Sequence, residues 1–223
     1  MSVTSVPMRL APSPRPPHLP SLATAAQWLM LYRFTVPQYH RLIAEGILPE
    51  DGRYELLHGL VVLKDNGALG DQTMGHNPPH ALVVALLSSL IARINSAKRH
   101  LRIQLPVIVG GDEAPEPDGS IVRGVARDYA SHLPGGTDTS CVIEVADSSL
   151  ERDEEEKLPA YAAAGIPQYV IVNLRTGTVD EHSEPNVQTG QYSRLVNLQR
   201  GAMLQLNLGD GETLDVVVDE LLP

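Results

Sequence analysis

Cysteine is almost missing from this chain: Cys141 is the single thiol in 223 residues. One cysteine cannot close an internal disulfide or build a thiolate zinc site. Long apolar runs are missing as well, and none approaches the ~20 residues that a membrane-spanning helix needs. The N-terminus shows no charged region, apolar core and small-residue cleavage site in series, so no signal peptide is read and the expected compartment is the cytoplasm. Positive charge is scarce. Lys and Arg number 17 against 27 Asp and Glu, a formal charge of −10. That balance argues against broad, non-specific adhesion to nucleic acid, which relies on clustered Lys and Arg. It leaves metal-assisted phosphate chemistry open, because a site that collects divalent cations is itself rich in carboxylates. No P-loop, dinucleotide fingerprint, H-E-x-x-H or nucleophile elbow occurs, so the nucleotide-fuelled and zinc-protease classes have no support.

What is present suffices for one well-buried domain, with 43% of residues hydrophobic. Residues 1–25 hold six of the 18 prolines, Arg9 and Arg15, and no acidic residue. This segment reads as a disordered tail, with a flexible nucleic-acid contact through the two arginines as the alternative. Residues 26–223 form the domain. Thr35 is placed to cap a helix that carries Pro37 in its first turn, runs through Tyr39, Leu42 and Ile43, and stops near Gly46. The stretch from Tyr54 to Leu63 reads as two short strands around a His58-Gly59 turn. Leu82, Val83, Leu86, Leu87, Leu90, Ile91 and Ile94 recur at helical spacing and predict one helix over 79–95. Alternation of Leu101, Ile103, Leu105, Val107 and Val109 predicts an extended stretch over 101–109. Short strands are expected around Ser120–Val122 and at Cys141–Val145, then a helix over 150–164 that contains Pro159, and a strand from Gln168 to Leu174. Short strands separated by Gly-containing turns fill 177–216, and Val217 to Leu222 closes with a helical turn. The mixed order predicts an α/β fold of the α+β mixed kind, a sheet covered by helices.

Two residues sit where physics discourages them. Glu144 lies inside the apolar run Cys141-Val142-Ile143-Glu144-Val145-Ala146, and an unpartnered buried carboxylate costs several kcal/mol. A metal ion is one compensation, and a buried ion pair is another. Asp118 opens the short strand in Glu116-Pro117-Asp118-Gly119-Ser120. Pro-Asp-Gly is also a good β-turn sequence. Together the two carboxylates suit one octahedral Mg²⁺ that keeps places for water and a phosphate oxygen. Lys157, 13 residues beyond Glu144 at the edge of the stripe marked by Leu158, Tyr161 and Ala162, is placed to lean toward them. There it can orient water or offset charge building on phosphate. Its plain alternative is a pair with Asp153 on a solvated helix face. The acidic run Glu151 to Glu156 reads as a solvated first turn.

With these segments in view, the chain resembles the Uma2 (DUF820) family of restriction-endonuclease-like proteins, over roughly residues 33–222. The resemblance rests on Tyr54-Glu55-Leu56 with Gly59 and Val61, and on Pro79-His80 opening a long helix. It rests further on Glu116-Pro117-Asp118, Ile143-Glu144-Val145, and Glu156-Lys157-Leu158 followed by Tyr161-Ala162 and Ala164-Gly165-Ile166-Pro167-Gln168-Tyr169. It implies a PD-(D/E)-x-K nuclease fold, a mixed central sheet between helices with a Mg²⁺ or Mn²⁺ site at the sheet's opened edge. It implies metal-binding roles for Asp118 and Glu144, and a role for Glu55 in completing the metal shell or activating water. Ala146 stands where the general motif has its lysine, and Lys157 is the family's apparent substitute. Gly119 replaces an aliphatic residue, which is expected to loosen the Asp118 strand. His58 replaces an acidic turn residue, which is expected to be neutral. His80 matches the family's helix-start histidine, either satisfied structurally or catalytic, and Gln104 is a further candidate for lining the cleft.

The function implied is metal-dependent hydrolysis of DNA phosphodiesters by a homodimer without membrane contact. Two other classes compete with it: a catalytically silent interaction module on the nuclease fold, and a hydrolase of small phosphate esters.

Overall fold

The computed structural model describes residues 31–48, 54–64, 78–96, 98–147 and 149–223. The tail 1–25, with Arg9 and Arg15, lies outside them, as does the start of the domain assigned from residue 26. Helix α1 (Val36–Ala44) begins where Thr35 and Gln38 form a capping box, with Pro37 in the first turn. A hairpin follows, β1 (Tyr54–Leu57) and β2 (Leu60–Leu63), antiparallel with Leu57 opposite Leu60. Its two-residue turn has φ of 51° at His58 and 72° at Gly59, the paired positive values that such a tight turn demands. At Gly59 a Cβ would also stand 2.6 Å from Arg33 Cβ, so no other residue fits.

The predicted helix over 79–95 is two pieces, α2 (Pro78–Ser89) and α3 (Ile91–Ile94). The hydroxyls of Ser88 and Ser89 donate back to the carbonyls of Val84 and Leu86, and the chain tightens through Leu90. The extended stretch is also shorter and earlier than its alternation predicts: β3 is Arg99–Ile103. At Gln104 the backbone turns to φ 50°, and Pro106, without an N–H, cannot continue a ladder. Strand β4 (Gly119–Arg123) and β5 (Thr139–Ala146) follow. Gly119 does not loosen β4. It pairs in register with Ile143, and the space beside it is filled by Ile143 and Leu87 side chains at van der Waals distance.

Helix α4 crosses from β5 to β6 (Gln168–Asn173), the connection that their parallel pairing requires. It has three parts: an α turn Leu150–Arg152, a π turn Asp153–Lys157, and an α segment Leu158–Ala163. Pro159 cannot donate to the helix ladder, and just before it Leu158 N–H reaches back to the Asp153 carbonyl. Strands β7 (Thr178–Asn186), β8 (Gln191–Leu198), β9 (Met203–Gly209) and β10 (Glu212–Val217) complete the chain, with a 3-10 turn at Val218–Leu221. The central sheet runs β3-β4-β5-β6-β7-β8 and is mixed, β5 and β6 being its parallel pair.

The alternation of β5 decides which way its carboxylate points. Cys141, Ile143 and Val145 enter the larger core, shared with Val83 and Leu87 of α2 and with Leu204 and Leu206 of the β9–β10 hairpin. Val142 and Ala146 face the opposite way, toward Tyr161 of α4 and Tyr169 of β6. Glu144 lies between Val142 and Ala146 in that second set and is therefore aimed at α4. A third cluster, with Val36 and Tyr39 of α1 around Leu56 of β1 and Ala114, holds the hairpin beside the sheet.

Candidate active site

Asp118 sits just before β4, which pairs with β5, and its carboxylate is buried. Oδ2 accepts the backbone N–H of Val145 at 2.9 Å and lies 3.2 Å from His80 Nε2. Oδ1 accepts from Gln104 Nε2 at 3.2 Å, with Lys64 Nζ 4.0 Å away. Burial pushes this carboxyl up, but His80, Lys64 and the Val145 amide outweigh it and hold Asp118 well below the usual carboxylate range.

Glu144 is buried on the α4 side, where Oε1 accepts from Lys157 Nζ at 3.0 Å and from the Tyr161 hydroxyl at 3.0 Å. The π turn brings two carboxylate partners to Lys157 besides Glu144: Asp153 Oδ1 of its own turn at 3.5 Å and Glu55 Oε2 of β1 at 3.4 Å. Burial raises Glu144 and Asp153 above their ordinary values, with Lys157 opposing it. Burial would likewise strip the Lys157 proton, but three surrounding carboxylates reverse that and hold it well above the usual lysine value. The Lys157–Asp153 pair thus exists, though inside the protein and not on a solvated face. The acidic run is corrected in the same way: Glu151, Glu154 and Glu155 are exposed, whereas Asp153 and Glu156 are buried.

The six residues singled out from sequence therefore come together. Asp118, His80 and Gln104 form one flank, Glu144, Glu55 and Lys157 the other, and the amide of Val145, the residue after Glu144, donates to Asp118. Sequence reasoning missed four contributors. Lys64, at the end of the apolar run of β2, donates to the Glu116 carbonyl at 2.7 Å. Glu116, beside Pro117-Asp118, lies 3.6 Å from Lys64 and is raised by burial. Tyr161 was legible only as a buried stripe residue. His58, the replacement for an acidic turn residue, makes two carboxylate contacts that the sequence did not reveal. Its Nδ1 meets Glu113 at 2.9 Å and its Nε2 meets Glu156 at 2.7 Å, which ties the hairpin turn to the π turn.

The donor set suits a hard divalent cation in kind and charge. Around Asp118 and Glu144, the carboxylates of Glu55, Glu116 and Asp153 add to theirs against two ammonium groups, Lys64 and Lys157. Glu55 Oε1 is buried without a hydrogen-bond partner, and an orphaned carboxylate oxygen is costly unless something positive meets it. Among the described residues no three His, Cys, Asp or Glu side chains form a ready-made cluster. An ion held by Asp118 and Glu144 would thus draw on water and substrate oxygens, which matches the habit of Mg²⁺.

A mixed six-stranded sheet with paired carboxylates at β4 and β5 and a lysine from the crossover helix defines a nuclease-like α+β protein. The chain belongs to the Uma2 family, described as "Putative restriction endonuclease", whose model matches residues 36–216. Its fold is similar to that in the crystal structure of "a putative nuclease belonging to DUF820 from Anabaena variabilis ATCC 29413", with a TM-score of 0.60 and 14% identity over 84% of this chain and 97% of that one. No curated protein matches the chain. Among the described residues no helix is long and apolar enough to cross a membrane.

Proposed function

We propose that the protein is a metal-dependent endonuclease that hydrolyses DNA phosphodiesters, with Asp118 and Glu144 holding Mg²⁺ or Mn²⁺ and Glu55 supporting the shell. The observation that carries this reading is the buried Asp118 carboxylate accepting the amide of Val145, the residue next to Glu144, with a buried lysine on Glu144 itself. The bound ion would supply positive charge to a phosphate oxygen and make water more acidic. The chain's own residues prepare that chemistry. His80, Lys64 and the Val145 amide keep Asp118 ionised, and Gln104 helps to fix it. Lys157 and Tyr161 fix Glu144, and Glu55 Oε1 remains available to an ion or a water. Hydrolysis joins the water oxygen to phosphorus and breaks one ester P–O bond, the departing oxygen taking a proton. Cutting both strands calls for a symmetric pair of copies, and the working compartment is the cytoplasm.

The acidic balance of the chain favours one competing reading, an interaction module that kept the fold without the reaction. Incubation of supercoiled plasmid and single-stranded DNA with Mg²⁺ or Mn²⁺, beside the Asp118→Asn variant, separates the two. Metal-dependent nicking lost in the variant supports the endonuclease. Absence of cleavage by folded protein, or cleavage that survives the substitution, overturns it.

A further inference from the structure

A lysine ammonium has three N–H donors and no acceptor. Lys157 donates to Glu144 Oε1 at 3.0 Å and meets two more buried carboxylates by charge, Glu55 at 3.4 Å and Asp153 at 3.5 Å. Its side chain is 4% exposed. Contact with a phosphate would require Lys157 to abandon one of these partners and leave a buried carboxylate without its counter-charge.

Lys64 is differently placed. It directly follows β2, on the Asp118 side of the site, and its side chain is 13% exposed. One N–H is committed, to the Glu116 carbonyl at 2.7 Å. The carboxylates near it are Glu116, with Oε1 at 3.6 Å, and Asp118, with Oδ1 at 4.0 Å. They hold the ammonium at the site by charge and leave donors to spare.

Building on the endonuclease reading, we propose that Lys64 is the lysine that meets the substrate phosphate. Lys157 is a positioning residue that stays with its carboxylates throughout. The site then divides two tasks between two lysines. The buried one neutralises Glu144, Glu55 and Asp153 so that they can share a small volume. The more open one offers N–H donors to the phosphate oxygens beside Asp118, where charge grows as the ester bond breaks.

The test combines lysine labelling with cleavage kinetics. Folded wild-type protein is treated with an amine-reactive reagent, alone and with a short DNA duplex in Ca²⁺ buffer, and the modified sites are read by mass spectrometry. Lys64 is expected to label and to be protected by the duplex, while Lys157 stays unlabelled in both samples. In parallel, Lys64→Met is expected to lower kcat/KM for cleavage by about 10²–10³-fold in protein that circular dichroism shows to be folded. Lys64→Arg is expected to recover part of that loss. Labelling of Lys157 with protection by DNA, or a Lys64→Met enzyme that cuts like the wild type, overturns the assignment and leaves the endonuclease reading standing. A wild-type protein that neither binds nor cuts DNA overturns both, and the cause is then visible in the wild type itself.

Discussion

The backbone N–H of Val145 donates to Asp118 Oδ2 at 2.9 Å, so the residue that follows Glu144 in β5 anchors the carboxylate at the head of β4. One strand thereby sets both acids. The sheet register fixes their separation, and neither acid depends on a flexible loop for its place.

Replacing Asp118 tests the first acid. Asp118→Asn keeps an oxygen for the Val145 amide and removes the charge that His80, Lys64 and Gln104 gather around. Metal-dependent cleavage is expected to fall by about 10²–10³-fold or more. The pH dependence follows from the depressed native value. Asp118 contributes stability that is complete above its ordinary value of 3.8 and is lost as pH falls through its lower folded value. Acid unfolding followed by circular dichroism is therefore expected to be shallower in the variant, and equal slopes would show that the charge contributes nothing to folding.

Replacing Lys157 tests the second flank. Lys157→Met leaves Glu144, Glu55 and Asp153 facing one another without a cation. Removing one member of a buried ion pair costs about 3–5 kcal/mol, which lowers the melting temperature of a chain this size by roughly 10 °C. Adding Glu144→Gln to the same protein removes part of the stranded charge, and the double variant is expected to melt above Lys157→Met alone. A double variant that melts lower still would mean that the three carboxylates do not share the lysine.

The limits of the sequence reading have physical causes. Glu144 was legible because a lone acid in an apolar strand is improbable without a partner, Lys157 was legible from its place at the edge of the buried helix stripe, and the resemblance to the Uma2 family supplied Glu55 and His80. The mixed sheet followed from strand alternation and from the helix between β5 and β6. The break at Leu90 did not, because the hydroxyls of Ser88 and Ser89 compete with the backbone while the apolar periodicity runs on unchanged. Burial of Asp153 and Glu156 was also hidden. A run of acids looks solvated until tertiary contacts bring Lys157 and His58 to it. Lys64 carried little signal beyond its place after Leu63, since its meaning comes from Glu116 and Asp118, more than fifty residues away.

Glu55→Gln separates metal support from folding. Glu55 Oε2 accepts the Glu116 N–H at 3.2 Å and lies beside Lys157, while Oε1 is buried without a partner. The amide retains an acceptor for Glu116 and relieves one excess negative charge. The melting temperature is expected to hold or rise slightly. Cleavage is expected to fall and to recover in part as Mn²⁺ is raised, because a weakened ion site fills by mass action. A variant that keeps full activity at low metal would remove Glu55 from the shell.

His58 supplies the pH test at the opposite end of the range. Both ring nitrogens face carboxylate oxygens, and a neutral imidazole can donate to one alone, so the pair of contacts calls for the doubly protonated ring. The Glu113 hydrogen bond is the largest cause, burial opposes it, and Glu156 adds to it, so His58 is raised from 6.5 to about 9. A raised histidine contributes stability that is fully present below 6.5 and is lost as pH climbs through about 9. Because the ring is partly exposed, screening reduces that contribution to on the order of 2 kcal/mol. Wild-type melting temperature is therefore expected to fall by several degrees between pH 7 and pH 10, and a His58→Gln variant is expected to change much less over the same interval. The clamp joins the hairpin that carries Glu55 and Lys64 to the π turn that carries Lys157, so cleavage by the wild type is expected to decline along the same alkaline limb. A variant whose melting temperature falls as steeply as the wild type's would place the titrating group elsewhere.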